Sequence, residues 1–296
     1  MLTYLQAIIL GLLQGVTELF PVSSLGHTVI LPRLFGWNDV VAAESAPESY
    51  FLAFLVGLHV ATSLALLVFF WRTWVDIIRA LLTSLAQRRI ETSTARLGWL
   101  LVVGSVPAGV TGVLFEHAFR TLFAVPIAAS IFLFVNGLVL SAAEVLRRRA
   151  VVRAVAVEHG LNAAGARRLE TLEFGEAGVV GLAQTFALLA GISRSGITMA
   201  AGLVRGLDHE DAARFSFLLA TPIILGAGVY KLPDLLGPNG QGVIGPVLAG
   251  SVVAFVAALI SVRFLSRFFT TRTLTPFAIY CLVAGGVLSL WFGTGH

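Results

Sequence analysis

Apolar residues run through this chain in long blocks separated by short polar stretches. A helix that crosses a bilayer needs about 20 such residues. The blocks at 50–71, 97–115, 125–146, 243–264 and 274–293 qualify, and 211–231 qualifies despite Pro222. Two other apolar regions are interrupted. Residues 4–19 run into Phe20-Pro21-Val22-Ser23-Ser24, and the piece beyond, 27–36, is too short to cross. Residues 177–192 break at Ser193-Arg194-Ser195-Gly196 and resume to about 204. Non-helical backbone survives at membrane depth only inside protein or against a wet cavity. The pattern predicts an all-α integral membrane protein: six spanning helices plus two re-entrant helix–turn–helix hairpins, at 1–36 and 175–206. For 1–36 the alternative is one spanning helix followed by an interfacial one.

Charge sets the sidedness, because cytoplasmic loops collect Lys and Arg. The 72–96 loop holds Arg72, Arg79, Arg88, Arg89 and Arg96. The 147–174 loop holds Arg147, Arg148, Arg149, Arg153, Arg167 and Arg168, and the 263–272 stretch holds Arg263, Arg267 and Arg272. The 37–49 and 232–242 loops have no Lys or Arg. The basic loops are therefore expected inside and the other two outside. Parity then makes each interrupted region enter and return on one side, the first external and the second cytoplasmic.

An offset of 170 aligns Gly11 with Gly181, Gln14 with Gln184, Ser23 with Ser193, Gly26 with Gly196 and Thr28 with Thr198. Three spans follow each hairpin, so the halves have opposite orientation. That is an inverted-topology repeat, in which discontinuous helices meet near the midplane. The expected organisation is one membrane domain, 1–296: a first repeat at 1–146, a cytoplasmic loop at 147–174 and a second repeat at 175–296.

Composition agrees. The chain is 57% hydrophobic and 12% charged with mean hydropathy +0.90, against about 25% charged in soluble domains. A net charge of +4 is no nucleic-acid signal here, since the basic residues lie between apolar spans. Cys281 is the single cysteine, so no internal disulfide forms. Met1-Leu2-Thr3-Tyr4 lacks the basic start of a signal peptide.

Polar groups in hydrocarbon mark function by default. Gln14 and Glu18 are four residues apart and share a helix face. A carboxylate there suits a hard cation or a proton. Ser23 and Ser24 occupy the turn, Gly26 permits close backbone approach, and His27 follows Ser24 by three residues. A hydroxyl and an imidazole at that spacing resemble a nucleophile with its base, although Ser23 is equally suited to cap helix 27–36. Arg194 sits among Ser193, Ser195 and Gly196, with Thr198 one turn on. Backbone N–H groups at a helix start plus a planar guanidinium make a cradle for phosphate. An ion pair between Arg194 and Glu18 is compatible with that reading. His59 reads as a packing histidine, Glu144 with Arg147–Arg149 as a membrane boundary, and Trp71, Trp74 and Trp99 as interfacial anchors. The 150–174 stretch reads as a partly helical surface segment without chemistry.

The run from Gln14 to His27, Gln-Gly-Val-Thr-Glu-Leu-Phe-Pro-Val-Ser-Ser-Leu-Gly-His, resembles the signature of undecaprenyl-diphosphate phosphatases of the bacitracin-resistance type. Gly191-Ile192-Ser193-Arg194-Ser195-Gly196 matches their second motif, with Ala190 in place of the usual proline. Ser105-Val106-Pro107-Ala108-Gly109 and Phe215 to Pro222 extend the resemblance over nearly the whole chain. Ala61 replaces a common glycine, and Gln14 is an allowed variant of glutamate that leaves one carboxylate fewer. The resemblance implies hydrolysis of undecaprenyl diphosphate to undecaprenyl phosphate and phosphate, which recycles the cell-wall carrier lipid in the bacterial plasma membrane. It implies Ser24 as nucleophile, with Glu18, His27 and Arg194 essential. Ser23, Gly26, Ser193, Ser195, Gly196 and Thr198 would contact substrate, and Mg2+ or Ca2+ would sit at Glu18 and Gln14. His27 as the nucleophile, the prenyl length and assembly as a homodimer stay open. The competing expectation is a polyprenyl-phosphate transporter or flippase using the same pocket.

Overall fold

The computed structural model describes residues 2–45, 50–123, 125–157, 169–237 and 242–295, and among these all regular structure is helical. The first hairpin is α1 (Tyr4–Thr17) and α2 (Ser24–Leu34), followed by a short α3 (Asn38–Ser45). Then come α4 (Tyr50–Phe69), α5 (Trp71–Gln87), α6 (Ser93–Phe123) and α7 (Pro126–Val157). The second hairpin is α8 (Phe174–Thr185) and α9 (Arg194–Val204), followed by α10 (His209–Leu236), α11 (Ile244–Phe268) and α12 (Thr275–Gly293). Five stretches are long and apolar enough to cross a membrane: Ser93–Phe115, Pro126–Arg149, His209–Lys231, Ile244–Phe268 and Thr275–Gly293. The pair α4 and α5, bent by 83°, makes a sixth candidate if counted as one span.

Local sequence explains the boundaries. Thr3 and Gln6 close a capping box at α1: Gln6 N–H donates to Thr3 Oγ1 over 3.2 Å and Thr3 N–H to Gln6 Oε1 over 2.9 Å, filling donors that a helix start leaves free. Ser23 and Ser193 cap α2 and α9 in the same chain positions relative to their glycines.

The expected 72–96 loop is instead mostly α5. Arg72 and Arg79 lie within a segment whose apolar positions recur at helical spacing. Ile77 and Ser84 are buried on one side, and Trp99 Nε1 of α6 donates to Ser84 Oγ over 3.0 Å. Ile78, Leu82 and Leu85 are exposed on the other. Such a helix suits the plane of a membrane interface better than a span. Helices α6 and α7 also outrun their apolar blocks, α7 reaching Val157 and so covering the start of the predicted 147–174 loop. Residues 158–168 of that loop lie outside the described residues, as do 46–49 of the 37–49 loop.

Close backbone crossings set the packing. Helix α1 lies on α11 and α8 lies on α6. At the first crossing a Cβ on Gly11 would overlap the Gly250 carbonyl oxygen; at the second a Cβ on Gly181 would overlap that of Gly104. Small residues of this kind let membrane helices approach without a hydrophobic driving force. Helix α12 runs along α7, α4 packs between α10 and α11, and α9 wedges between α7 and α10. Leu133, Leu140, Phe215, Phe217 and Leu218 are buried at the centre, whereas Val113, Val252, Ile260, Val283 and Leu290 are exposed on the outside. An apolar exterior around a polar-tipped interior is what a lipid solvent demands.

Candidate active site

The two hairpin tips are stitched together by short polar side chains. Ser23 Oγ accepts from Gly26 N–H of its own helix at 3.2 Å and from Gly191 N–H of the other tip at 3.1 Å. Ser23 holds φ 70°, ψ 105°, which a non-glycine residue adopts only under constraint. A Cβ on Gly26 would lie 2.9 Å from Gly191 Cα, so the tips touch backbone to backbone. Asn136 of α7 bridges them: its Nδ2 donates to Pro21 O and its Oδ1 accepts from Ser193 N–H, each at 3.0 Å. Ser195 Oγ donates to Phe20 O at 3.2 Å and shares a 3.0 Å contact with Ser193 Oγ. Ser193 Oγ in turn caps Gly196 N–H at 3.1 Å.

Glu18 is the hub of this junction. It is buried, with only 7% of its surface accessible. Its Oε1 accepts from Arg194 Nη2 at 2.7 Å. Its Oε2 accepts from Gln14 Nε2 at 3.0 Å and from the Ser24 hydroxyl. His59 Nε2 of α4 stands 3.7 Å from the same oxygen. His59 Nδ1 lies 2.8 Å from Leu55 O, which requires its proton on Nδ1 and leaves Nε2, in the neutral ring, free to receive one. Arg194 Nη1 and Gln14 Oε1 are both buried and have no hydrogen-bond partner among the described residues. A buried guanidinium N–H without an acceptor is expensive, and so this corner is arranged for an anionic guest.

The structure does not bring His27 to Ser24. The Ser24 hydroxyl points to Glu18, while His27 Nδ1 donates to Ser23 O at 2.6 Å and Nε2 accepts from Tyr280 Oη at 2.7 Å. Both ring nitrogens are thus committed in the neutral tautomer. Thr198 Oγ1 meets Ser216 Oγ of α10 at 2.6 Å and donates to Arg194 O at 2.8 Å, supporting the arginine's turn rather than reaching Glu18.

The oxygen donors suit a hard cation in one way only. Glu18 offers a carboxylate and Gln14 an unpartnered amide oxygen. Among the described residues no group of three or more His, Cys, Asp or Glu side chains could hold a metal ion. One carboxylate and one amide oxygen do not make a closed protein cage; they are donors that a hard cation also sharing substrate phosphates and water would use.

Residues 7–287 match the family described as bacitracin resistance protein BacA. The chain belongs to that family. It is 53% identical to undecaprenyl-diphosphatase 2 of Frankia alni, over 98% of each chain. It is 56% identical to the undecaprenyl-diphosphatase of Mycolicibacterium paratuberculosis, over 98% of this chain and 97% of that one. The undecaprenyl-diphosphatase of Gluconacetobacter diazotrophicus is 42% identical, over 100% of this chain and 98% of its own. Three residues of this BacA-family site escaped the sequence reading. His59 reads as a histidine packed in a span, Asn136 is a lone amide in an apolar block, and Tyr280 is a lone tyrosine in the last apolar block. Only Asn136 left a signal, since a polar side chain deep in a span asks for partners.

Proposed function

We propose that this chain hydrolyses undecaprenyl diphosphate to undecaprenyl phosphate and inorganic phosphate within a bilayer, with Ser24 as nucleophile. One observation carries the reading: Ser24 and Arg194 bracket a single buried carboxylate, and Arg194 Nη1 beside them lacks an acceptor. A terminal phosphoryl group supplies that acceptor. Ser24 Oγ attacks its phosphorus, and the bond to the bridging oxygen breaks as undecaprenyl phosphate leaves. The hydroxyl proton passes along its existing hydrogen bond to Glu18 Oε2, and His59 Nε2 stands next to receive it. Arg194 neutralises the phosphoryl oxygens as charge builds in the transition state. Water then attacks the seryl phosphate, releasing phosphate and returning a proton to Ser24. A divalent cation held by Glu18 and Gln14 Oε1 would reduce the repulsion between a diphosphate and any nucleophile. His27 acts from one step away, fixing the Ser23–Ser24 peptide through the Ser23 carbonyl.

The same reading arranges the chain as six spans and two re-entrant hairpins related by an inverted repeat. The paired crossings, Gly11 on Gly250 and Gly181 on Gly104, support it. So does the matched capping of α2 by Ser23 and α9 by Ser193. Helices α4 and α10 would flank the pocket, which agrees with the placing of His59 and with the bonds Thr198–Ser216 at 2.6 Å and Ser63–Thr221 at 3.2 Å. The loop charges orient the first hairpin toward the outside of the bacterial plasma membrane, so the phosphate exit is external. The lipid tail leaves sideways between helices.

The test is phosphate release by purified protein from a long-chain prenyl diphosphate, with Ser24→Ala inactive. Failure to release phosphate with any divalent ion overturns the assignment. The flippase reading draws on the same symmetry; Ser24→Ala would then move lipid phosphate at the wild-type rate. A membrane-impermeant thiol reagent on a pocket cysteine tests the sidedness, blocking the site in spheroplasts if it opens outward and only in inverted vesicles if it opens inward.

A further inference from the structure

Away from the tips, the last turns of α11 and the loop after it border an open groove of about 490 Å3. Its floor is Ile260, Phe264 and Phe268. Its rim is Arg263, Arg267 and Arg272, with Thr271 beside them. The three arginines are exposed, and among the described residues none of their side chains engages a carboxylate or a hydrogen-bond acceptor. No acidic residue lines the groove. The adjoining cavity of about 250 Å3 shares Thr271 and Arg272 but is of mixed charge, adding Asp208 and Glu210 as well as Arg147.

The floor is fixed in place. Phe264 stacks on Phe20 with centroids 5.9 Å apart and an interplanar angle of 2°. Phe268 meets Phe277 edge-on at 5.4 Å. Yet Ile260 is 65% exposed and Phe264 49%, so the floor still offers an apolar shelf. The 25 residues of α11 rise about 37 Å, enough to place this end at a membrane boundary. Helices α1 and α11 run parallel, Gly11 against Gly250 and Gly15 against Ala254. The groove therefore lies on the face opposite the start of the first hairpin.

A cation in the last turn of a helix is explained by the macrodipole, which accounts for Arg267. It does not account for Arg263 and Arg272 closing round an aromatic shelf. A soluble anion gains nothing from Ile260 and Phe264. A zwitterionic lipid brings a phosphate but no net negative charge to offset three unpaired guanidinium groups. We propose that the groove is a binding site for an anionic glycerophospholipid. The headgroup phosphate lies among Arg263, Arg267, Arg272 and the Thr271 hydroxyl, and the acyl chains lie along Ile260, Phe264 and Phe268. Guanidinium forks suit phosphate oxygens, and cations at a bilayer surface favour anionic lipid.

The experiment uses the full chain in a neutral detergent and reads bound lipid by native mass spectrometry. Phosphatidylglycerol and phosphatidylcholine with identical acyl chains compete, with soluble glycerol phosphate as a third arm. Phosphatidylglycerol is expected to be retained. Each Arg→Gln change should weaken it about fivefold, and the triple variant Arg263→Gln, Arg267→Gln, Arg272→Gln about a hundredfold. Phosphate release from a prenyl diphosphate should persist in the triple variant, showing that it is folded; loss of hydrolysis by Ser24→Ala leaves lipid retention unchanged. Equal retention of phosphatidylcholine overturns the proposal. So does displacement by glycerol phosphate at equal concentration, or an unchanged preference in the triple variant. If the triple variant does not fold, the wild-type competition and Arg272→Gln alone decide.

Discussion

Arg194 Nη2 lies 2.7 Å from Glu18 Oε1, although 176 residues separate the two in the chain. The pair joins the tips of two hairpins, and both partners are largely shielded from water. Breaking one side of a buried pair leaves an uncompensated charge. A purely structural pair would tolerate any cation of suitable reach. A phosphoryl clamp needs the planar fork, because one nitrogen holds Glu18 while the other reaches the guest.

Arg194→Lys is therefore expected to fold but to lose about 10²–10³ of turnover, with phosphate release and thermal unfolding measured on the same sample. Near wild-type turnover in a folded Arg194→Lys protein would assign Arg194 to the ion pair alone.

The crossing of α1 and α11 gives a stability prediction with an internal control. A Cβ on Gly11 would run into the Gly250 carbonyl, which is backbone and cannot swing aside. Gly109 has open space where its Cβ would stand. Gly11→Ala should destabilise by about 1–3 kcal/mol, and Gly109→Ala should be neutral or slightly stabilising as a helical Gly→Ala change. Thermal melts of the two variants in one detergent check this. Equal melting temperatures would show that α1 and α11 do not cross so closely.

Much of this arrangement was legible in the sequence, for physical reasons. Apolar run length marked the long helices. Polar residues that no lipid would tolerate marked both tips, and a pairing of Glu18 with Arg194 was one of two compatible readings of their opposite charges. Side-chain direction was not legible. A spacing of three puts His27 near Ser24 on a helix, but Ser24 is the first residue of α2 and its hydroxyl turns back to Glu18. His59 joins the site only because α4 packs beside α1, a contact that no local pattern encodes. The arginines of 72–96 suggested a loop, when the apolar positions between them already followed a helical face.

Outside the spans, Glu44 in α3 gives a pH dependence. Burial pushes its carboxyl up to about 8, with Arg33 pulling in the opposite direction. A folded-state value above the ordinary 4.5 means that the folded chain binds more protons than the unfolded one between these limits. The contribution to stability is then fully present below pH 4.5 and is lost as pH rises toward about 8. Glu44→Gln, permanently neutral, should remove that decline. Thermal melts of wild type and variant across this window make the comparison, and parallel curves would mean that Glu44 is ionised in the folded protein throughout.

The last prediction separates two roles for His27. Its ring lies between the Ser23 carbonyl at 2.6 Å and the Tyr280 hydroxyl at 2.7 Å, its plane nearly parallel to that of the tyrosine at 13°. The Ser23 carbonyl belongs to the peptide that carries Ser24, so under the proposed mechanism His27 braces the backbone of the nucleophile while Glu18, already hydrogen-bonded to the Ser24 hydroxyl, would take its proton. Tyr280→Phe removes one hydrogen bond from that brace, worth about 1 kcal/mol. It should lower kcat by about fivefold, leave KM unchanged and leave the pH–rate profile in place. Were His27 the proton acceptor for Ser24, freeing Nε2 from Tyr280 would change the basicity of the reacting group. The limb of the profile that reports that base would then move. A profile measured from acid to mildly basic pH on wild type and Tyr280→Phe distinguishes the two, because a brace changes the height of the curve and a base changes its position.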